Sequence, residues 1–328
     1  LVLCFKKEHS SFWILRRMKR VALFTHQACV AHYPGEGHAE SPDRLRVVLQ
    51  ALEHPDFVSL LREVAPEATS EQLELVHPKA YVDTILALKP TDDEILMLDA
   101  DTFVSEGSVA AARHAAGGAI AGVDAVMEGW ADAAFAAVRP PGHHAEAAQA
   151  MGFCLFGSVA VAAKHARTKW GVKRIAVVDF DVHHGNGTQH LLQSDADIFY
   201  ASSHQMPCYP GTGARSETGV ARNVVNLPLA PGEGSQAFRH AWEHIGIPAL
   251  ELFKPDLLLI SAGFDAHRAD PLAQLRLDTE DFGWITDRLL AVADASAKGR
   301  VVSVLEGGYD LAALAASVAM HVRHLMRI

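Results

Sequence analysis

The stretch V-V-D-F-D-V-H-H-G-N-G-T-Q, residues 177–189, carries a β-branched run into acidic groups. Asp181 and His183 follow at i, i+2 spacing, and a glycine-rich turn then opens a helical segment. In an extended strand end, side chains two apart share a face. One carboxylate and one imidazole therefore converge just beyond the strand's carboxyl end, where ligands bind in open α/β sheets. Alone, the stretch also fits a turn with a buried Asp and surface histidines. Matching chemistry elsewhere weighs against that bland reading.

That chemistry lies in R-P-P-G-H-H-A at 139–145, S-A-G-F-D-A-H at 261–267 and L-E-G-G-Y-D at 305–310. Each follows an apolar run of strand length, so each is expected on the same rim. Together they offer Asp181, His183 and Asp265 as metal ligands, His143 and His144 as paired imidazoles, and Tyr309 as a phenol donor. Three protein ligands with one open position is the pattern of a catalytic zinc site. Two carboxylates with one imidazole form a harder site than three imidazoles, so the set also admits Fe(II).

Strands are expected at 20–24, 133–138, 174–180, 197–202, 223–229, 256–262 and 300–305. Helices are expected at 42–53, 105–128, 155–168, 235–252, 279–297 and 310–327. Ser105 is a candidate N-cap, and Pro42 stands at a first helical position after Ser41. Apolar strands without alternation, such as L-L-L-I at 257–260, point to a sheet covered on both faces. Alternating strands and helices make that sheet parallel. The expected fold is a single-domain three-layer α/β/α with a mostly parallel central sheet, since no linker, repeat or low-complexity tract divides the 328 residues.

A net charge of −10 argues against nucleic-acid binding. No apolar run reaches membrane-spanning length. Four cysteines without C-x-x-C spacing suit a reducing cytoplasm. Residues 1–17 read as an N-terminal extension or a misassigned start, because the chain opens with Leu and Met18 stands just before the first strand pattern, K-R-V-A-L-F.

From about Arg20 onward the chain resembles zinc-dependent deacetylases of the histone deacetylase superfamily, most closely bacterial class II-type members. Besides the four motifs, the resemblance rests on H-A-E-S-P-D-R-L at 38–45, M-G-F-C-L-F at 151–156 and S-S-H-Q-M-P-C-Y-P-G-T-G at 202–213. It implies an arginase/deacetylase-like fold over residues 18–328. It also implies hydrolysis of an acyl group from an amine, acetyl-lysine in peptides or proteins being favoured. By the same resemblance Asp181, His183 and Asp265 bind the metal, and His143 and His144 are the tandem histidines. Asp179 and Asn186 support them, and Tyr309 is the catalytic tyrosine. Asp101, Gly152, Phe153, Tyr209, Leu272 and Gly308 are then substrate contacts, with Phe153 and Tyr209 as aromatic tunnel walls. Structural potassium is also implied, at the carbonyls of Asp179, Asp181 and His183 with Ser202 and Ser203.

Elementary chemistry agrees with these roles. An amide is a poor electrophile with a poor leaving group. A metal polarises its carbonyl and lowers the pKa of water from ~15.7 toward ~7. A phenol stabilises the oxyanion, and an imidazole carries the proton. An arginase-like binuclear manganese hydrolase is the rival enzyme. It wants further acids where Gly185 and His267 stand, so one metal is favoured. A non-catalytic acyl-amine binding module is the rival from another class, and the full catalytic set weighs against it. Leu272 follows Asp270-Pro271, where members selective for acetylpolyamines carry glutamate, so acyl-lysine is favoured over acetylpolyamines.

Several acids and histidines carry plainer readings. Asp99 and Asp101 fit helix capping as well as a grip on substrate backbone. Asp270 is expected to shape a loop, and His26 and His184 to be structural. His32, His38, His77, His190, His240 and His244 receive no role.

Overall fold

The runs V-A-L-F-T, A-A-F-A, I-A-V-V-D, L-L-L-I-S-A and V-V-S-V-L become strands that are buried almost throughout. Burial at successive residues, not alternate ones, means both sheet faces are covered, as the lack of alternation predicts. The computed structural model describes residues 18–91 and 94–328, so the extension expected over 1–17 lies outside the described residues.

In chain order the amino-terminal part runs β1 (Val21–Thr25), α1 (Gln27–Ala31), α2 (Pro42–Ala51), β2 (Leu61–Val64), α3 (Ser70–Leu73), α4 (Lys79–Leu86), β3 (Leu96–Met97) and β4 (Phe103–Val104). It continues with α5 (Ser108–Glu128), β5 (Ala133–Ala136), α6 (Ser158–Trp170), β6 (Ile175–Asp179), α7 (Asn186–Leu192), β7 (Ile198–Gln205) and β8 (Val224–Leu229). The rest is α8 (Ser235–Ala241), a π-helical turn at Trp242–Gly246, α9 (Ile247–Phe253), β9 (Leu257–Ala262), α10 (Thr279–Ser296), β10 (Val301–Leu305) and α11 (Leu311–Met326).

Eight strands form one sheet in the order β2-β1-β5-β10-β9-β6-β7-β8, every neighbouring pair parallel. Strands β3 and β4 form a separate antiparallel pair. Helix α5 packs on α6, and α11 on α10 and α2, around the sheet. No helix of the described residues is long and apolar enough to cross a membrane.

The register places the site. Leu305 pairs with Ala262, Val304 with Ala136, and Asp179 with Ser261. The carboxyl ends of β5, β10, β9 and β6, four adjacent central strands, are therefore level. All four chemical motifs leave the sheet at that level.

Two expectations need correction, and one strand was not foreseen. Ser105 does not cap α5. Gly107 holds that place, while Ser105 donates its N–H to Ser108 Oγ (2.8 Å) and its Oγ receives the Tyr33 N–H. The helix expected over 235–252 is broken by the π turn, in which the Ile247 N–H reaches the Trp242 carbonyl. Pro248 has no N–H for the ordinary ladder, so one residue is accommodated by the wider turn. Strand β2 was not expected. All four of its residues are exposed at the sheet edge, so it carries no apolar run.

Candidate active site

Beyond β6 the chain stays buried through Asp181 and His183 until α7 begins at Asn186. Asp181 Oδ1 accepts the His183 N–H (2.9 Å), and its Oδ2 accepts the Gly307 N–H (2.8 Å). Asp265 Oδ1 accepts the Val182 N–H (2.8 Å). These backbone donors aim both carboxylates at His183, whose Nδ1 lies 3.2 Å from Asp181 Oδ1 and 3.2 Å from Asp265 Oδ2. Candidate ligand atoms of Asp181, His183 and Asp265 lie within 4.8 Å of one another. The close approach needs glycine: a Cβ on Gly307 would lie 2.1 Å from Asp265 Oδ2 and 2.6 Å from Asp181 Oδ2.

The electrostatics of this cluster fit a divalent cation. Burial works against charge on Asp181, but His143 and His183 hold its carboxyl well below the usual range. Burial and the charge of Asp181 push Asp265 up to about 7. Despite burial, Asp181 and Asp265 hold His183 well above the ordinary imidazole range. Two enclosed carboxylates thus compete for too little positive charge. One cation would answer both, and among the described residues no other cluster of this kind occurs.

From the end of β5, Gly142 and His143 donate their N–H groups to Glu306 Oε2 (2.7 and 3.2 Å). His143 Nδ1 meets Asp179 Oδ2 at 3.1 Å, and His144 Nδ1 meets Asn186 Oδ1 at 2.7 Å. The two rings, 4.0 Å apart, differ sharply in charge. Burial disfavours charge on His143, yet Asp181 and Asp179 push it up to about 10. Burial, then the neighbouring His143 and His183, holds His144 well below the ordinary range. A neutral imidazole beside a charged one is an arrangement in which one ring can act as base and the other as electrostatic partner.

Tyr309 follows two glycines with separate uses. Gly307 permits the carboxylates' approach, and Gly308 adopts φ +126°. The Tyr309 N–H donates to Asp270 Oδ2 (2.7 Å), and Asp270 Oδ1 accepts the Leu272 N–H (3.0 Å), so Asp270 shapes this loop. Burial holds the Tyr309 phenol well above its ordinary pKa, with Arg44 opposing.

A cavity of about 220 Å³ is lined by Asp101, His144, Gly152, Phe153, His183, Tyr209, Leu272 and Tyr309. Phe153, at φ 69°, is held there by its N–H bond to Thr102 Oγ1 (3.1 Å) and by the His38 ring, 4.8 Å away. Asp101 caps no helix; its Oδ1 accepts the Gly152 N–H (3.1 Å). Asp99 accepts from the Ala100 N–H. Gly308 is not among the lining residues, and its carbonyl accepts Arg44 Nε (2.6 Å). Ser202 Oγ pairs with His204 Nδ1 (2.9 Å), whereas the buried Ser203 Oγ has no protein partner.

Several supporting residues escaped sequence reasoning. Arg44 is fully buried, bonds the carbonyls of Glu306 and Gly308, pairs with Glu40, and stacks 4.8 Å over the Tyr309 ring. Arg139 pairs with the same Glu40 (2.6 Å). The only signal was the i, i+4 spacing of Glu40 and Arg44 inside a motif noted for resemblance. Glu306 was visible in L-E-G-G-Y-D without a role. His32 and His77 also gain work: His32 bonds Ser108 (2.6 Å), and His77 accepts the Gly157 N–H (3.0 Å). His26 caps α1, and His184 bonds Thr212 and Gln189.

Known proteins share this design. The histone deacetylase domain family matches residues 38–325. The chain is 39% identical over 314 residues to a histone deacetylase-like amidohydrolase of Pseudomonas aeruginosa, covering 89% of this chain and 82% of that protein. It is 39% identical over 296 residues to a probable deacetylase of Methanothermobacter thermautotrophicus, covering 88% and 86%. The crystal structure of the HDA15 HD domain superposes with a TM-score of 0.88 at 34% identity, over 94% of this chain and 88% of that one. A level rim of acids, tandem histidines and a tyrosine on this sheet, with these relatives, makes the chain a member of the histone deacetylase family and an enzyme of its deacetylase and amidohydrolase kind.

Proposed function

We propose that the protein removes acetyl groups from lysine side chains of peptides or proteins, using one divalent metal ion, Zn²⁺ or Fe²⁺. The observation that carries this reading is the cavity whose lining brings the Phe153 and Tyr209 rings together with His144, His183 and Tyr309. Asp181, His183 and Asp265 would hold the ion, which supplies Lewis-acid polarisation of the amide carbonyl and acidification of water. His144, neutral and lining the cavity, takes the water's proton and returns one to the departing amine. His143, charged and paired with Asp179, adds positive charge beside the reacting carbonyl. The Tyr309 phenol, kept protonated, donates to the developing oxyanion. Phe153 and Tyr209 flank the aliphatic stem, and Asp101 accepts a substrate backbone N–H at the mouth.

Potassium is part of the proposal. The buried Ser203 hydroxyl, which has no protein partner, supports a structural K⁺ that Ser202, Ser203 and the carbonyls of Asp179, Asp181 and His183 would hold. Among the described residues Cys29, Cys154 and Cys208 are free, which suits a reducing compartment such as the cytoplasm.

Leu272, 38% exposed on the cavity lining, favours an apolar lysine environment over a distant ammonium. The test is kcat/KM for an acetyl-lysine peptide and for acetylspermidine, in wild type and Leu272→Glu. Wild type should prefer the peptide. The substitution should move the ratio toward the polyamine by ~1 kcal/mol, the upper range for an exposed charge contact. A wild type that prefers acetylspermidine would replace this reading with acetylpolyamine hydrolysis.

A further inference from the structure

One carboxylate near the tandem histidines belongs neither to the metal cluster nor to the Asp179 pair. Glu146 follows His144 by two residues. Its Oε1 accepts Asn186 Nδ2 at 2.6 Å, and its Oε2 meets Nδ1 of the exposed His190. Asn186 in turn presents Oδ1 to His144 Nδ1 at 2.7 Å. Nδ2 also lies 3.4 Å from the His144 carbonyl and 3.4 Å from Met151 Sδ. A chain of polar contacts thus runs from the cavity wall to the surface.

The chemistry of this chain has only one consistent direction. An ionised carboxylate accepts and cannot donate. The amide end that touches Glu146 must therefore be the NH₂. Its other end, facing His144, must be the carbonyl oxygen. A carbonyl oxygen accepts, so His144 carries its proton on Nδ1 and leaves Nε2 unprotonated. An amide alone could not enforce this, because rotating Asn186 by half a turn would offer His144 a donor.

We propose that Glu146 is a positioning residue for His144, fixing the Asn186 amide and through it the imidazole tautomer that can accept a proton. The proposal rests on the reading of His144 as the proton carrier. A glutamine at 146 donates as readily as it accepts. It would release the amide and divide His144 between two tautomers, only one of them competent.

The experiment compares wild type, Glu146→Gln and the exchanged pair Glu146→Gln/Asn186→Asp. In the exchanged pair a carboxylate at 186 accepts from His144 whatever its rotation, and the glutamine can donate to it, at unchanged net charge. Glu146→Gln should lower kcat on acetyl-lysine peptide ~10–100-fold, the range for losing an outer hydrogen-bonding partner that orients the acting group, with KM changing far less. The exchanged pair should regain most of that loss, which no purely structural role of Glu146 predicts. An unchanged kcat in Glu146→Gln, or an exchanged pair no better than the single variant, overturns the proposal. Imidazole ¹⁵N spectra of the Zn²⁺-loaded proteins read the tautomer without turnover. Nδ1–H on His144 in wild type and a mixture in Glu146→Gln are expected, and identical spectra overturn the proposal. If wild type hydrolyses no acetyl-lysine while the spectra differ as described, the substrate reading fails and the positioning role stands.

Discussion

Tyr309 is held from three directions: Asp270 takes its N–H, Arg44 bonds the carbonyl before it and stacks over its ring, and Phe153 meets the ring edge at 5.9 Å. None of these contacts uses the phenol hydroxyl. Tyr309→Phe should therefore fold normally and keep its metal, while kcat falls ~10²–10³-fold, the range for one oxyanion donor. KM should move less, because the charge it meets exists only in the transition state. A near-normal kcat would assign the oxyanion to another group. His144→Ala should lose more than Tyr309→Phe, since water and amine both need a proton carrier. If His143→Ala proves the more damaging histidine variant, the base is the charged ring and the division of roles is reversed.

Helix α11 meets both β10 and α10 through a buried polar group. His321 is fully buried, with Nδ1 2.6 Å from Thr286 Oγ1, Nε2 2.8 Å from Ser303 Oγ, and phenyl rings around it. Burial, then His324, lowers its pKa from 6.5 to about 3. The folded state holds it neutral while the unfolded chain protonates it below 6.5. Its contribution is therefore intact above that value and declines as pH falls from 6.5 toward 3, by up to ~1.4 kcal/mol per pH unit. His321→Gln keeps hydrogen-bonding capacity and removes the titration. Urea unfolding across this window should show a shallower acid loss in the variant, and coincident slopes would mean that His321 gains no proton on unfolding.

The parts of the fold that the sequence made legible follow the same logic of local signals. β6, β9 and β10 announce themselves as short apolar runs that end in polar groups, and the polar groups of four such runs make up the candidate site. Arg44 announces nothing. It acts on backbone carbonyls 262 and 264 residues away, and carbonyls carry no sequence code. Glu146 carries no sequence signal of its own, because its partner Asn186 stands 40 residues on, at the start of α7. The π turn was hidden because the segment 235–252 reads as one continuous helix, and the chain accommodates Pro248 by widening one turn and going on.

Taken together, the buried acids make metal occupancy a matter of stability as well as of chemistry. A cation bound only by the folded state stabilises it by ~2.7 kcal/mol at a hundredfold excess over Kd. Binding must also displace the proton that Asp181 and Asp265 hold on His183, so affinity should rise with pH. Chelation should abolish deacetylation and lower the urea midpoint, and Zn²⁺ should restore both. A stripped protein equal to the loaded one in stability and activity would show that the cluster holds no cation.

An open sheet of eight strands has two free rims, and each is a template on which a foreign strand could pair. On one side β2 presents Arg62 and Glu63 to solvent in a run of only four residues. On the other, β8 carries Pro228, which has no N–H to give. Charge and brevity at one margin, and a missing donor at the other, discourage growth of the sheet by addition of further chains. The central strands can then be as apolar as their burial demands, because the margins bear the task of keeping neighbouring copies from adding to the sheet.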